Sequence, residues 1–211
     1  MTVKQEAVVL IGDLVGSRGA SDRRALHRRL ERALSEVNGR WDLALRVTAG
    51  DEYQGVVPSL GTACAVTLAV RLALLPDHDV RHGIGRGARR VLDDETGIED
   101  GSAWWAARRA IDDTHQAAAR AATRGARTAY RLADGVAGET GAVDAALLAR
   151  DELVGRLDDR SLSVLRGLLS GRTQAEVAVE LGISPSAVSQ RVRSDALGVV
   201  VTTDDLLGGL A

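Results

Sequence analysis

Residues 7–13 read Ala7-Val8-Val9-Leu10-Ile11-Gly12-Asp13, an unbroken aliphatic and β-branched run that stops at a Gly-Asp pair. A short run with no polar alternation predicts a strand covered on both faces, and so a central position in its sheet. After a loop through Gly16 and Gly19, Ser21 offers an N-cap. Leu26, Leu30, Ala33, Leu34 and Val37 then recur at helical spacing, predicting an amphipathic helix over 22–38. Residues 43–48 and 53–57 are β-rich runs flanking Ala49-Gly50-Asp51-Glu52, which reads as the tight connection of an antiparallel hairpin. A nearly all-apolar helix over 59–75, stopped by Pro76, precedes a strand over 80–84, a third helix over 104–124 and a short strand over 128–132. Strand, helix, hairpin, helix, strand is the split βαβ order. The fold class expected is therefore α+β, with a ferredoxin-like or palm-type domain over 1–135.

Three glycines in 135–141 mark a break, and the remainder is helical in pattern. The reading assigns 136–160 to a linker and helix, and 161–211 to a small all-α helix-turn-helix domain. Leu162, Leu165, Leu168 and Leu169 fall on one helix face, closed by Ser170-Gly171. Thr173 and Glu176 have capping-box spacing, and Val177, Ala178 and Leu181 point inward from the helix they start. Gly182 ends that helix. Ser184 caps the next, Pro185 takes its first position, and Val188 and Val192 face the core.

Composition sets the frame for function. The 211 residues are 45% hydrophobic and 27% charged, which is globular composition, and only 2% aromatic with no Phe, so Ala, Val and Leu must build the cores. The formal net charge of −2 advertises no polyanion partner, so a nucleic-acid site would have to be a local patch. The single cysteine, Cys64, excludes an internal disulfide or a Cys-based metal site and reads as a small buried apolar residue. No apolar run is long enough for a membrane span, and residues 1–6 lack the h-region of a signal peptide. The expectation is a cytoplasmic protein with no membrane partner.

In a helix-turn-helix the second helix enters the major groove. Its outward positions Ser186, Ala187, Ser189, Gln190, Arg191 and Arg193 are expected to meet bases and phosphates, with the cap Ser184 also at the DNA and Thr173 or Gln174 on the backbone. Glu176 and Glu180 nearby oppose phosphate binding, so packing alone is the competing reading and DNA binding would need a homodimer. Residues 172–191, Arg-Thr-Gln-Ala-Glu-Val-Ala-Val-Glu-Leu-Gly-Ile-Ser-Pro-Ser-Ala-Val-Ser-Gln-Arg, resemble the region 4 helix-turn-helix of sigma factors and that of LuxR-like regulators. That resemblance implies a DNA partner and a role in transcription regulation.

A second constellation lies in the first half. The split βαβ order brings Asp13, at the end of the first strand, beside Asp51 at the hairpin tip. Two carboxylates there suit Mg²⁺, a cation that takes oxygen ligands and bridges to phosphates, although Gly-Asp pairs also occur in ordinary turns. Four blocks carry a resemblance: residues 11–18 (Ile-Gly-Asp-Leu-Val-Gly-Ser-Arg), 48–55 (Thr-Ala-Gly-Asp-Glu-Tyr-Gln-Gly), 80–87 (Val-Arg-His-Gly-Ile-Gly-Arg-Gly) and 100–111 (Asp-Gly-Ser-Ala-Trp-Trp-Ala-Ala-Arg-Arg-Ala-Ile). They closely resemble the SatD family over nearly the whole chain, and more remotely the palm domains of class III nucleotide cyclases and GGDEF-type synthases. The remote resemblance implies Asp13 and Asp51 as metal ligands and Arg108 as the group that steadies the transition-state phosphate; Gly12, Gly50, Glu52, Arg81 and Arg108 are the expected nucleotide contacts. Trp104 stands where cyclases carry an Asn, and Val47 where they carry a purine-reading Lys. Three readings follow: a DNA-binding regulator whose palm-like domain senses a phosphorylated ligand with Mg²⁺, a metal-dependent nucleotidyl- or phosphoryl-transfer enzyme, and a structural or toxin-antitoxin-like interaction protein whose carboxylates matter only for turns. Trp104 and Trp105 are expected in packing or base stacking, His82 in a structural role, and the arginines from 108 to 131 on a locally basic helix face.

Overall fold

The computed structural model describes residues 5–19, 22–93 and 97–211. Its first strand, β1 (Gln5–Leu14), lies inside a sheet ordered β2-β3-β1-β4-β5, where β2 is Arg46–Ala49, β3 Glu52–Val57, β4 Val80–Asp93 and β5 Ile98–Asp100. β1 pairs antiparallel with β3 on one side and β4 on the other, so the apolar run is central as expected. A last strand, β6 (Thr128–Leu132), runs parallel to β4. The first four strands thus have the split βαβ arrangement.

Strand alternation sorts β1 between two cores. Val8, Leu10 and Leu14 join α1 (Arg23–Trp41) and α2 (Leu60–Leu74) in the main core, whereas Val9 and Ile11 meet Ala103, Ala107 and Ile111 of α3 (Ser102–Ala118) on the opposite face. α1 begins at Asp22, whose carboxylate accepts from the Ala25 amide at 2.9 Å; the expected cap, Ser21, lies outside the described residues. The helix runs past Asn38 to Trp41 and ends on Asp42 in the left-handed region. The Asn38 side chain then bonds both the N–H and the carbonyl of Leu45 at 2.9 Å, holding 43–45 as an approach loop, so β2 starts later than the apolar pattern suggested. β4 reaches nine residues beyond its expected end and, with β5, forms an arm that the Gly- and Arg-rich sequence did not announce. The third helix stops at Ala118, with a short 3₁₀ turn at Ala121–Thr123.

The carboxy-terminal helices follow their sequence signals closely and pack on the elements of the first half. α4 (Gly141–Gly155), within the stretch read as linker and helix, buries Val143 and Leu147 in the main core, and its Asp144 accepts from the Tyr130 amide of β6 at 2.8 Å. α5 (Asp159–Leu169), α6 (Gln174–Leu181) and α7 (Pro185–Ser194) surround a core that also contains Leu68 and Leu72 of α2. α8 (Leu197–Gly208) returns to the start of α2, where the Leu210 carbonyl accepts from the Gly61 amide at 3.0 Å and a Cβ on Gly61 would stand 2.2 Å from the Gly208 carbonyl oxygen. A buried ion network binds the same layers. Arg71 of α2 reaches Asp79 at 2.8 Å and Asp151 of α4 at 3.3 Å, and Arg127 meets Asp79 at 2.6 Å. One face of α2, through Leu68 and Leu72, is thus the floor of the second core. No helix among the described residues is long and apolar enough to cross a membrane.

Candidate functional site

Asp13 follows Val9 and Ile11 on the face of β1 that α3 covers. In the ladders it stands opposite Glu52 on β3 and Arg81 on β4, so three charged residues form one row across the sheet. α3 completes the site from above, and glycines let it come close: a Cβ on Gly83 would lie 2.2 Å from the Ala107 carbonyl oxygen, and one on Gly85 2.2 Å from that of Ala103. At this separation Arg108 clasps Glu52 with Nη1 and Nη2 at 2.7 and 2.8 Å, and His115 Nε2 lies 3.2 Å from Asp13 Oδ2. Arg81 stands 3.9 Å from the same carboxylate oxygen.

Asp51 enters from the β2–β3 connection, where Gly50 has φ +60°, a conformation that favours glycine. The Asp51 carbonyl accepts from the Leu14 amide at 3.2 Å, and its carboxylate accepts from the Ser17 hydroxyl. The hairpin tip is thereby held against the end of β1. Burial raises the Asp13 carboxyl above its usual range and the charge of Asp51 raises it further, while His115 and Arg81 act the other way. Arg81 is lowered by burial and by Arg127, and its Nε has no hydrogen-bond partner. The hydrogen bond to Glu52 raises Arg108.

Gathered in this cleft are the expected Asp13, Asp51, Glu52, Arg81 and Arg108. Gly12 is not among them: the position of its missing side chain, on the other face, is filled by the Tyr53 ring, 2.2 Å from an ideal Cβ. That ring is fully buried and its hydroxyl meets His82 Nε2 at 2.6 Å, so His82 is a core residue. Gly50 shapes the turn. His115 and Ser17 went unrecognised in the sequence. The available signal was spacing, since Arg108, Asp112 and His115 share a helical face.

Two carboxylates with waters and phosphate oxygens are a donor set that suits Mg²⁺, and the mutual repulsion of Asp13 and Asp51 is the feature a cation would relieve. No group of three or more His, Cys, Asp or Glu suited to a metal occurs among the described residues. The positions that depart from the cyclase pattern are occupied by packing: Val47 lies against the main core and Trp104 against the core under α3. Trp105 is 58% exposed and bonds Asp100.

The helix-turn-helix positions divide differently. Thr173 and Glu176 make the full capping box, and Ser184 caps α7 by accepting from Ala187 at 3.2 Å. Gln174, Ser186, Gln190 and Arg193 are exposed, and Ser189 accepts from Arg193 at 2.9 Å. Arg191, expected on the reading face, is folded back onto Asp158 at 2.9 Å and Ser161 at 2.6 Å, so it anchors α7 to α5. Half of the six arginines of the basic stretch are neutralised, with Arg108 on Glu52, Arg127 on Asp79 and Arg131 on Asp113 and Asp144.

The strand order and the charged row at the end of β1 define a palm-type α+β protein with a carboxylate cleft. The chain belongs to the SatD family, whose model matches residues 7–207. No curated protein matches it. Similar solved structures include the monomeric guanylyl cyclase domain of the RhoGC fusion protein from Blastocladiella emersonii, at 20% identity over 53% of this chain and 78% of that one, with a TM-score of 0.44. The adenylate/guanylate cyclase/hydrolase from Silicibacter pomeroyi shares 17% identity over 54% and 73% of the two chains, TM-score 0.44. The adenylyl cyclase CyaB from P. aeruginosa shares 16% over 52% and 72%, TM-score 0.41.

Proposed function

We propose that the cleft binds a nucleoside triphosphate with Mg²⁺ and carries out metal-dependent nucleotidyl or phosphoryl transfer. The observation that carries this reading is the meeting of Asp13 and Asp51 at the end of the central strand, with Arg81, Arg108 and His115 around them. Asp13 and Asp51 would hold the cation, which supplies charge neutralisation for phosphate oxygens. Arg81, at the cleft floor, and Arg108, once released from Glu52, would contact the phosphates. Incubation with each nucleoside triphosphate and Mg²⁺ or Mn²⁺ should give product, lost in Asp13→Asn and in Asp51→Asn. Absence of turnover with every nucleotide would exclude the enzyme, and retained nucleotide binding would then favour a sensor.

A second reading, DNA binding by α7, is favoured by the exposure of Gln174, Ser186, Gln190 and Arg193 beside a fully capped turn. It requires a homodimer, because among the described residues Arg193 is the α7 cation with no carboxylate partner. A mobility shift on genomic fragments at low salt should weaken in Arg193→Ala and Gln190→Ala. Shifts indifferent to both changes would remove the reading.

A further inference from the structure

On the face of the molecule away from the charged cleft, α1, α2, α5 and α8 border an open cavity of about 240 Å³. Ala65, Ala69 and Ala73 recur every fourth residue along α2 and leave its floor shallow, while Leu68 and Leu72 on the same helix are buried in the core beneath. Trp41 forms one wall, with the Arg40 guanidinium 4.5 Å from its ring centroid, and Leu169 stands opposite. The floor is thus apolar and the rim charged, and the space suits a molecule smaller than a drug-sized ligand.

Its charges are unevenly compensated. Arg40 donates to the Leu169 carbonyl at 3.2 Å, and Arg166 spends Nε and Nη2 on the carbonyls of Leu72 and Leu75 at 2.6–2.9 Å. Neither has a carboxylate at ion-pair distance among the described residues, and burial and Arg29 lower Arg166. Of the two acids on the rim, Asp204 lies 3.4 Å from the buried Arg150 and also feels the charge of Arg40, and Glu36 is the second. With Arg150 counted beside Asp204, the three guanidinium groups of Arg40, Arg166 and Arg150 meet the two carboxylates of Glu36 and Asp204 around an apolar floor.

We propose that this cavity is a binding site for a small organic monoanion with an apolar body, an aliphatic or aromatic carboxylate, whose charge lies between Arg40 and Arg166. The ligand would touch α1 and α2 on one side and α5 and α8 on the other, joining the sheet's helical layer to the carboxy-terminal helices. The site is independent of the nucleotide reading.

The test uses the full chain and the fluorescence of 1-anilinonaphthalene-8-sulfonate, itself an apolar monoanion, displaced by octanoate or phenylacetate and by the corresponding amides. Saturable binding of one probe per chain is expected, with the carboxylates displacing it about tenfold better than the amides. Ala69→Leu, which fills the floor, and Arg40→Gln, which keeps the stem and removes the charge, should each weaken binding by about tenfold with circular dichroism unchanged. Ala73→Val replaces Ala69→Leu if the latter does not fold. Binding that is not saturable, or that survives filling of the floor, overturns the site. Equal displacement by amides and carboxylates overturns the anionic ligand.

Discussion

Arg108 grips Glu52 through both terminal nitrogens, at 2.7 and 2.8 Å, so the arginine best placed over the cleft is held by a carboxylate of its own chain. Arg108 is 49% exposed, and such a pair is worth on the order of 0.2–1 kcal/mol. Glu52→Gln should leave the fold intact and raise affinity for ATP or GTP with Mg²⁺ by roughly two- to fivefold in equilibrium dialysis. A fall in affinity would show that Arg108 serves Glu52 alone.

Asp13 behaves as a carboxylate in a costly place. Its raised pKa means that the folded chain binds its proton more tightly than the unfolded chain, so the ionised form lowers stability once the pH passes the folded value. Asp13→Asn at pH 7 without divalent cation is therefore expected to raise Tm. The same variant should lose the stabilisation that Mg²⁺ and nucleotide confer on wild type in thermal-shift measurements. A lower Tm would mean that His115 and Arg81 already outweigh burial and Asp51.

His82 sets a pH limit from within the core. Burial holds it down to about 3, so the folded ring is neutral; it shares one hydrogen bond with the Tyr53 hydroxyl through Nε2, and Nδ1 has no partner among the described residues. Between an ordinary histidine value and about 3 the unfolded chain takes up a proton that the folded chain refuses. Stability should accordingly fall as the pH drops below about 6, by about 1.4 kcal/mol per unit from this residue. Urea midpoints from pH 6 to 4 would show the slope, and His82→Gln should flatten it by one proton.

Gly85→Ala tests the glycine contact on which the site is built. The new methyl would lie 2.2 Å from the Ala103 carbonyl oxygen and 2.3 Å from the Ala107 nitrogen, both rigid backbone atoms. The expected cost is roughly 1–3 kcal/mol by urea denaturation, because α3 must move away. That displacement carries Arg108 and His115 with it, so Mg²⁺-dependent nucleotide binding should fall as well. An unchanged midpoint would show that α3 slides freely over β4.

Much of this protein was legible as local chemistry. The aliphatic run from Ala7 to Ile11 predicts its own burial, and Thr173, Glu176, Gly182, Ser184 and Pro185 specify two helix ends through their own hydrogen-bonding and backbone preferences. Asp13 and Asp51 could be paired because the order of elements places a strand end beside a hairpin tip. What the sequence could not decide were partnerships spanning long separations. Arg191 carries the same charge whether it faces solvent or Asp158, and nothing near Gly12 reveals that Tyr53 fills the space above it. The helix-turn-helix pattern is complete in 172–191, yet whether it stands apart depends on Leu68 and Leu72, about a hundred residues earlier, entering its core. Caps and periodicity are read from neighbours along the chain; ownership of a core, the partner of a charge and the approach of α3 to β4 are set by packing, which only the folded chain possesses.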